Sequence, residues 1–247
     1  MRETEIIIER VRRVSADLQQ LDLAIDRSLA QLRPGQSLFA TVLDSAGWEP
    51  YLREQWIPVD LQAGRLTVEL PAGRVYTPGQ IASALSPVGR PIPLRPNLIH
   101  LLLIAEDALP TPFVLLARTL IGGGVAVTLV LGGRATRYPL ELLPPEIEIL
   151  HDTDWKWPEQ VETLHWADQV LALAPGHVQP DAYRRLYETI TQLRQHDIPD
   201  DYVCGLYYPP LACGTGACQV CEIHARRDGL LACADGPAVD LKKVMSR

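Results

Sequence analysis

"LIHLLLIAEDALPTPFVLLARTLIGGGVAVTLVLGG", residues 98–133, decides the fold. It opens on LIHLLLIA (98–105), a continuous apolar run of the kind a strand buried on both faces requires. PTPFVLLARTLIGGG (110–124) reads as a helix that ends at Gly122–Gly124, because glycine takes up the backbone of a helix C-terminus. VAVTLVLGG (125–133) is a second buried strand. Working outward, IEILHD (147–152) and ADQVLALAP (167–175) are further strands. PDAYRRLYETITQLRQHDI (180–198) is a helix with Leu186, Ile190 and Leu193 on one face. The alternation predicts a parallel α/β sheet covered on both sides over residues 96–200. From about residue 203 the chain turns Cys- and Gly-rich, and the sheet is not expected to continue.

Residues 1–95 have a different rhythm. TEIIIERVRRV (4–14) starts like a strand, and RLTVELPA (65–72) alternates with period two. LRPGQ (32–36), LQAGR (61–65) and YTPGQ (76–80) supply turns. Short strands with frequent turns predict a small antiparallel β-barrel. SADLQQLDLAIDRSLAQL (15–32) has the spacing of an amphipathic helix, but in a barrel it would be a strand plus a loop.

The bulk numbers exclude several classes. At 247 residues the chain can hold two small cores or one large one. A net charge of −7, with no run of Lys and Arg among aromatics, argues against nucleic-acid binding. The start, MRETEIIIERVRR, has charges where an export signal needs apolar residues, and no apolar run is long enough to span a bilayer. A cytoplasmic location is expected, with no membrane insertion. In a reducing compartment, clustered cysteines point to metal or redox chemistry rather than disulfides.

Four of the five cysteines fall in 213–233: Cys213, Cys218, Cys221 and Cys233, spaced C-x4-C-x2-C-x11-C. The first three share the spacing of plant-type 2Fe-2S ferredoxins. Such a loop must turn backbone N–H groups toward a negatively charged cluster; Gly214 and Gly216 permit the required positive φ, and Ala217 keeps bulk away. The competing reading is a zinc site, although three ligands within nine residues fit poorly to two separated knuckles. Cys204 has no partner spacing and reads as a small buried residue. His224 reads as a surface or supporting residue.

The stretch PPLACGTGACQVCEIHARRDGLLACADGPAVDLKKV (209–244) resembles the iron–sulfur tail of the dihydroorotate dehydrogenase electron-transfer subunit family, with its ACG-x-GAC-x-x-C segment and, after the last cysteine, Ala234-Asp235-Gly236-Pro237. LRPGQSLFA (32–40), YLREQWIPV (51–59) and SPVGRPI (86–92) stand where that family has its PGQ strand, flavin-binding strand and barrel-exit segment. The resemblance implies a ferredoxin-reductase-like FAD barrel (1–95), a nucleotide-type α/β domain (96–200) and a 2Fe-2S domain (201–247). It also implies electron transfer to or from a flavin-containing partner, a catalytic dehydrogenase subunit, and with it pyrimidine biosynthesis. Arg53, Trp56 and Thr77 are the positions the resemblance offers for FAD.

The chain departs from that family at both nucleotide sites. Arg53 is followed by Glu54, Gln55 and Trp56 with no hydroxyl in place, and a carboxylate beside a pyrophosphate is electrostatically wrong. Arg53 as a surface cation and Trp56 as barrel core stay open. After the first α/β strand, Ala105 to Pro112 lacks the glycines that let a backbone approach a pyrophosphate, and Glu106 and Asp107 stand there instead. The later turn that faces nicotinamide is Leu173-Ala174-Pro175. NAD(P)H binding in the usual way is therefore not expected. The expectation is an iron–sulfur electron-transfer subunit. The alternatives are an iron–sulfur or structural subunit without nucleotide sites, or a zinc-stabilised interaction protein. Leu206, Tyr207, Tyr208 and Leu211 either pack the tail onto the barrel or form a docking patch, with packing favoured.

Overall fold

The structure is a computed structural model that describes residues 1–43, 52–175, 181–194, 198–223 and 229–245. Six strands close the N-terminal barrel: β1 (Arg2–Arg13), β2 (Leu18–Ala24), β3 (Ser37–Val42), β4 (Glu54–Gln62), β5 (Arg65–Pro71) and β6 (Ile81–Val88). Their order is β1-β2-β5-β4-β3-β6, all neighbours antiparallel, and β6 returns to β1 through pairs such as Arg2↔Ser86 and Ile7↔Ile81. Alternation works as period two demands: Ile6 and Ile8 are buried while Ile7 is exposed. With Leu21, Leu23, Leu38, Trp56, Leu66 and Val68 they fill the barrel.

Residues 15–32 resolve as strand plus loop, β2 followed by a short 3-10 turn at Leu29–Gln31. Tertiary partners override the helical spacing. Ser15 Oγ accepts the N–H groups of Asp17 and Leu18, which starts the strand. The polar residues of β2 are then satisfied from β5 and the turn after it: Gln19 Nε2 donates to Pro71 O and Arg74 O, and Asp22 accepts from Thr67.

The second layer system is a six-stranded sheet. Its strands are β7 (His100–Glu106), β8 (Ala126–Gly132), β9 (Glu148–His151), β10 (Gln169–Leu173), β11 (Val203–Leu206) and β14 (Ala238–Asp240), in the order β14-β11-β10-β7-β8-β9. All neighbours are parallel except β14 against β11. Helix α1 (Thr111–Gly122) covers one face, where Phe113 joins Leu101, Leu103 and Leu129 together with Leu18, Val59 and Ile92 from the barrel side. Helices α2 (Gln160–Trp166) and α3 (Asp181–Arg194) cover the other, around Leu102, Ile104, Leu164, Tyr183 and Leu186. The short hairpin β12 (Glu222–Ile223) and β13 (Leu230–Leu231) and the last helix α4 (Leu241–Met245) complete the tail.

One expectation is corrected: the sheet does continue past residue 203. Val203 pairs with Val170, and Cys204 pairs with Asp240 across β14. The four residues of β11 are all buried and too few to show a period. Gly205 also lets the helices close in, since a Cβ there would sit 2.8 Å from Leu241 Cδ2 and 3.2 Å from the Tyr183 ring.

Candidate metal centre and the clefts beside it

The loop from Cys213 to Cys221 has no regular structure, and its turns rest on left-handed backbone at Gly214 (φ 67°) and Gly216 (φ 80°). Gly214 is buried against the barrel, where a Cβ would come within 2.9 Å of Phe39 Cδ1 on β3. This folding aims amides at sulfur. Thr215 N–H donates to Cys213 Sγ at 3.4 Å and Gly216 N–H to Cys233 Sγ at 3.2 Å.

Two of the four cysteines meet directly. Cys221 Sγ and Cys233 Sγ lie 3.2 Å apart and are buried. Cys213 is half-buried and bonds to Cys218, which is exposed. Hydrogen bonds from Thr215, then from Cys218, bring the Cys213 thiol down to about 6, while burial and the adjoining Cys221 push Cys233 up to about 12. Among the described residues no three His, Cys, Asp or Glu side chains surround a single point. Cys204 is buried in the core of β11, and burial raises its thiol to about 12. His224 lies outside the described residues.

Barrel and tail are joined at this loop. Gly89 N–H, at the barrel exit, donates to the carbonyl of Cys233 at 2.9 Å, and Ala232 N–H donates to Cys221 O at 3.0 Å. Leu206 is fully buried and Tyr207 packs on Tyr183, ring centres 4.7 Å apart. With half-buried Tyr208 and Leu211, these residues pack the tail against its neighbours.

A cleft of about 560 Å³ opens beside the loop, walled by Phe39, Arg53, Gln55, Arg74, Tyr208 and Leu211 among others. The structure separates the three positions considered for FAD. Trp56 is wholly buried in the barrel, edge-on to Tyr76 at 5.7 Å between ring centres. Thr77 is exposed in the turn before β6 and does not line the cleft. Arg53 does line it, but its guanidinium is committed to Ser83 O (2.8 Å), Ser83 Oγ (3.1 Å) and Glu3 (2.6 Å). These residues do not fit FAD in the way the resemblance implies, because the indole faces inward and the cation already holds a carboxylate.

A second cleft of about 290 Å³, at the C-terminal ends of β7 and β10, includes Asp107, Leu109, Pro112, Arg134, Pro175 and Tyr208 in its walls. Here the β7–α1 turn is acidic. Burial and the facing Asp152 raise Glu106 to about 7, and burial raises Asp152. Both carboxyls nest over Gly132, where a Cβ would meet Glu106 Oε2 at 1.6 Å and Asp152 Oδ2 at 3.1 Å. Pro110 and Pro112 lack N–H groups at the start of α1, so the helix end offers few donors to a phosphate. The Glu106–Asp152 pairing was not read from sequence; two carboxylates ending parallel strands separated by one strand, β8, was the available signal.

Residues 209–245 match the sequence profile of the iron–sulfur cluster binding domain of dihydroorotate dehydrogenase B. No curated protein matches the chain. Among solved structures, the chain is similar to an NADH-dependent reduced ferredoxin-NADP oxidoreductase studied for flavin-based electron bifurcation. The TM-score is 0.71 at 18% identity, covering 96% of this chain and 88% of that one. It is also similar to the ferredoxin reductase in carbazole 1,9a-dioxygenase (TM-score 0.62, 16% identity, 82% and 68% covered). A third is phthalate dioxygenase reductase, described as a modular structure for electron transfer from pyridine nucleotides to [2Fe-2S] (TM-score 0.55, 16% identity, 81% and 66% covered). Among the described residues no helix is long and apolar enough to cross a membrane. Residues 209–245 are thus similar to the iron–sulfur cluster binding domain of dihydroorotate dehydrogenase B, and the chain as a whole shares the fold of these reductases.

Proposed function

We propose that the chain is an electron-transfer subunit that holds one 2Fe-2S cluster on Cys213, Cys218, Cys221 and Cys233 and exchanges electrons with a flavin on a partner dehydrogenase. The pairing of the cysteines carries this reading. A single zinc ion needs four thiolates around one point, whereas two irons bridged by sulfides take two thiolates each. Cys221 and Cys233 lie together as one such pair, which leaves Cys213 and Cys218, at the ends of the glycine loop, to hold the other iron. The cluster, when bound, supplies one-electron transfer. The chain's own contribution is to aim the Thr215 and Gly216 amides at the sulfurs, which stabilises their negative charge. It buries one pair against the barrel and leaves Cys218 and Val220 exposed, as a short electron path to a partner requires.

The flavin is assigned to the partner, because Arg53, Trp56 and Thr77 do not assemble an FAD site. The similarity of the tail to the domain of dihydroorotate dehydrogenase B supports a dihydroorotate dehydrogenase-like catalytic subunit as the partner, and with it a place in pyrimidine biosynthesis. Dithionite reduction of the purified protein should give a paramagnetic signal of a reduced 2Fe-2S cluster, and heat denaturation should release less than stoichiometric FAD. A protein silent after reduction would refute the cluster. Stoichiometric FAD would move the flavin into this chain.

A further inference from the structure

Arg90, just beyond β6 on the barrel's exit segment, reaches across to the turn that carries the fourth cysteine. Its Nε donates to Ala234 O at 3.0 Å and its Nη2 to Asp235 Oδ1 at 3.0 Å. Its own backbone N–H donates to Gly236 O at 2.6 Å, and the Gly89 N–H to Cys233 O at 2.9 Å. Each residue from 233 to 236 therefore receives a hydrogen bond from Gly89 or Arg90. Asp235 is held from the other side as well, since its Oδ2 accepts the Leu231 N–H at 3.1 Å. The left-handed backbone of Gly89 (φ 80°) makes the approach possible, because a Cβ there would stand 3.1 Å from Gly236 O.

We propose that Arg90 is a positioning residue for Cys233, fixing the ligand's turn against the barrel and setting a positive charge beside it. The proposal rests on the iron–sulfur reading of the four cysteines. Cys233 is the ligand most in need of such support, because eleven residues separate it from Cys221 and it arrives from another segment. Arg90 and Asp235 form an ion pair with the guanidinium largely exposed, so as a surface pair it would contribute little to stability. Its value lies in geometry: the planar fork spans a carbonyl and a carboxylate at once, which lysine cannot do. Reduction adds one negative charge to a cluster, so a nearby cation favours the reduced form and a nearby carboxylate the oxidised form.

The test uses the full chain with Arg90→Gln, Arg90→Lys and Asp235→Asn. It follows bleaching of the visible spectrum by a chelator, and the midpoint potential by dye-mediated titration. Arg90→Gln should lose its cluster about tenfold faster than wild type, the scale seen when supporting contacts of metal ligands are removed, and its potential should fall. Arg90→Lys should bring the potential back toward wild type while still losing cluster faster. Asp235→Asn should also lose cluster faster, but with its potential raised, and it carries the test if Arg90→Gln does not fold. Wild-type release rates in Arg90→Gln and Asp235→Asn, or faster release with no opposite movement of the two potentials, would overturn the proposal. Wild-type protein that purifies without iron refutes the iron–sulfur reading itself, and is seen before any variant is compared.

Discussion

At the scale of single residues the cysteine loop rests on two left-handed glycines and on amides aimed at sulfur. Cys218→Ser removes the exposed thiolate and should abolish most of the visible absorption; a fully coloured variant would contradict the ligand assignment. Gly214→Ala tests the loop's backbone. The left-handed conformation costs an L-residue about 1–2 kcal/mol, and the new methyl would press on Phe39, so cluster occupancy after purification should fall. Glu106 offers a pH test. Its folded carboxyl is raised to about 7 by burial and by Asp152. The protonated form is therefore favoured by folding, and its stabilisation is complete below the ordinary carboxylate range and lost as pH rises through about 7. Urea midpoints should fall between pH 5 and pH 8 by more in wild type than in Glu106→Gln; equal slopes would contradict the assignment.

At the scale of elements, the β7–α1 turn decides what the α/β domain can bind. With Glu106 ending the strand, Asp107 after it and two prolines opening the helix, a dinucleotide pyrophosphate meets charge repulsion and missing donors. Titration with NADH or NADPH should show no binding tighter than about 1 mM, the weak end of ordinary enzyme–substrate affinity; micromolar binding would contradict this account. The turn was legible because glycines are conspicuous when absent, just as the long apolar runs of β7 and β8 announced a buried parallel sheet. Other elements were hidden for physical reasons. β2 has helical spacing, and its ladders with β1 and β5 together with its buried polar contacts make it a strand. β11 and β14 are too short to carry a period, and β14 reaches its neighbour β11 only after the whole cysteine loop. The four cysteines stand out by spacing, but Arg90 behind the fourth depends on a contact across 144 residues that no local pattern signals.

At the scale of the whole molecule, barrel and sheet are joined by a buried carboxylate as well as by apolar packing. Glu69 on β5 accepts hydrogen bonds from Gln20 Nε2, Tyr138 OH and Thr111 Oγ1, so one side chain ties the barrel to α1 and to the segment after β8. Burial raises its carboxyl and the three donors oppose that rise. Glu69→Ala leaves the donors buried without an acceptor and should cost about 1–3 kcal/mol for each group left unsatisfied. Denaturant unfolding checks this, and a loss under about 0.5 kcal/mol, the range of neutral surface changes, would contradict the joint. The same assembly brings the barrel exit, the tail turn and the cysteine loop together, and the central claim is that this junction holds a 2Fe-2S cluster. Iron, zinc and acid-labile sulfide measured together on the anaerobically purified chain test it most directly. The account predicts about two irons and two sulfides per chain with a red-brown colour that dithionite bleaches; a colourless protein with one zinc per chain and no sulfide would contradict it.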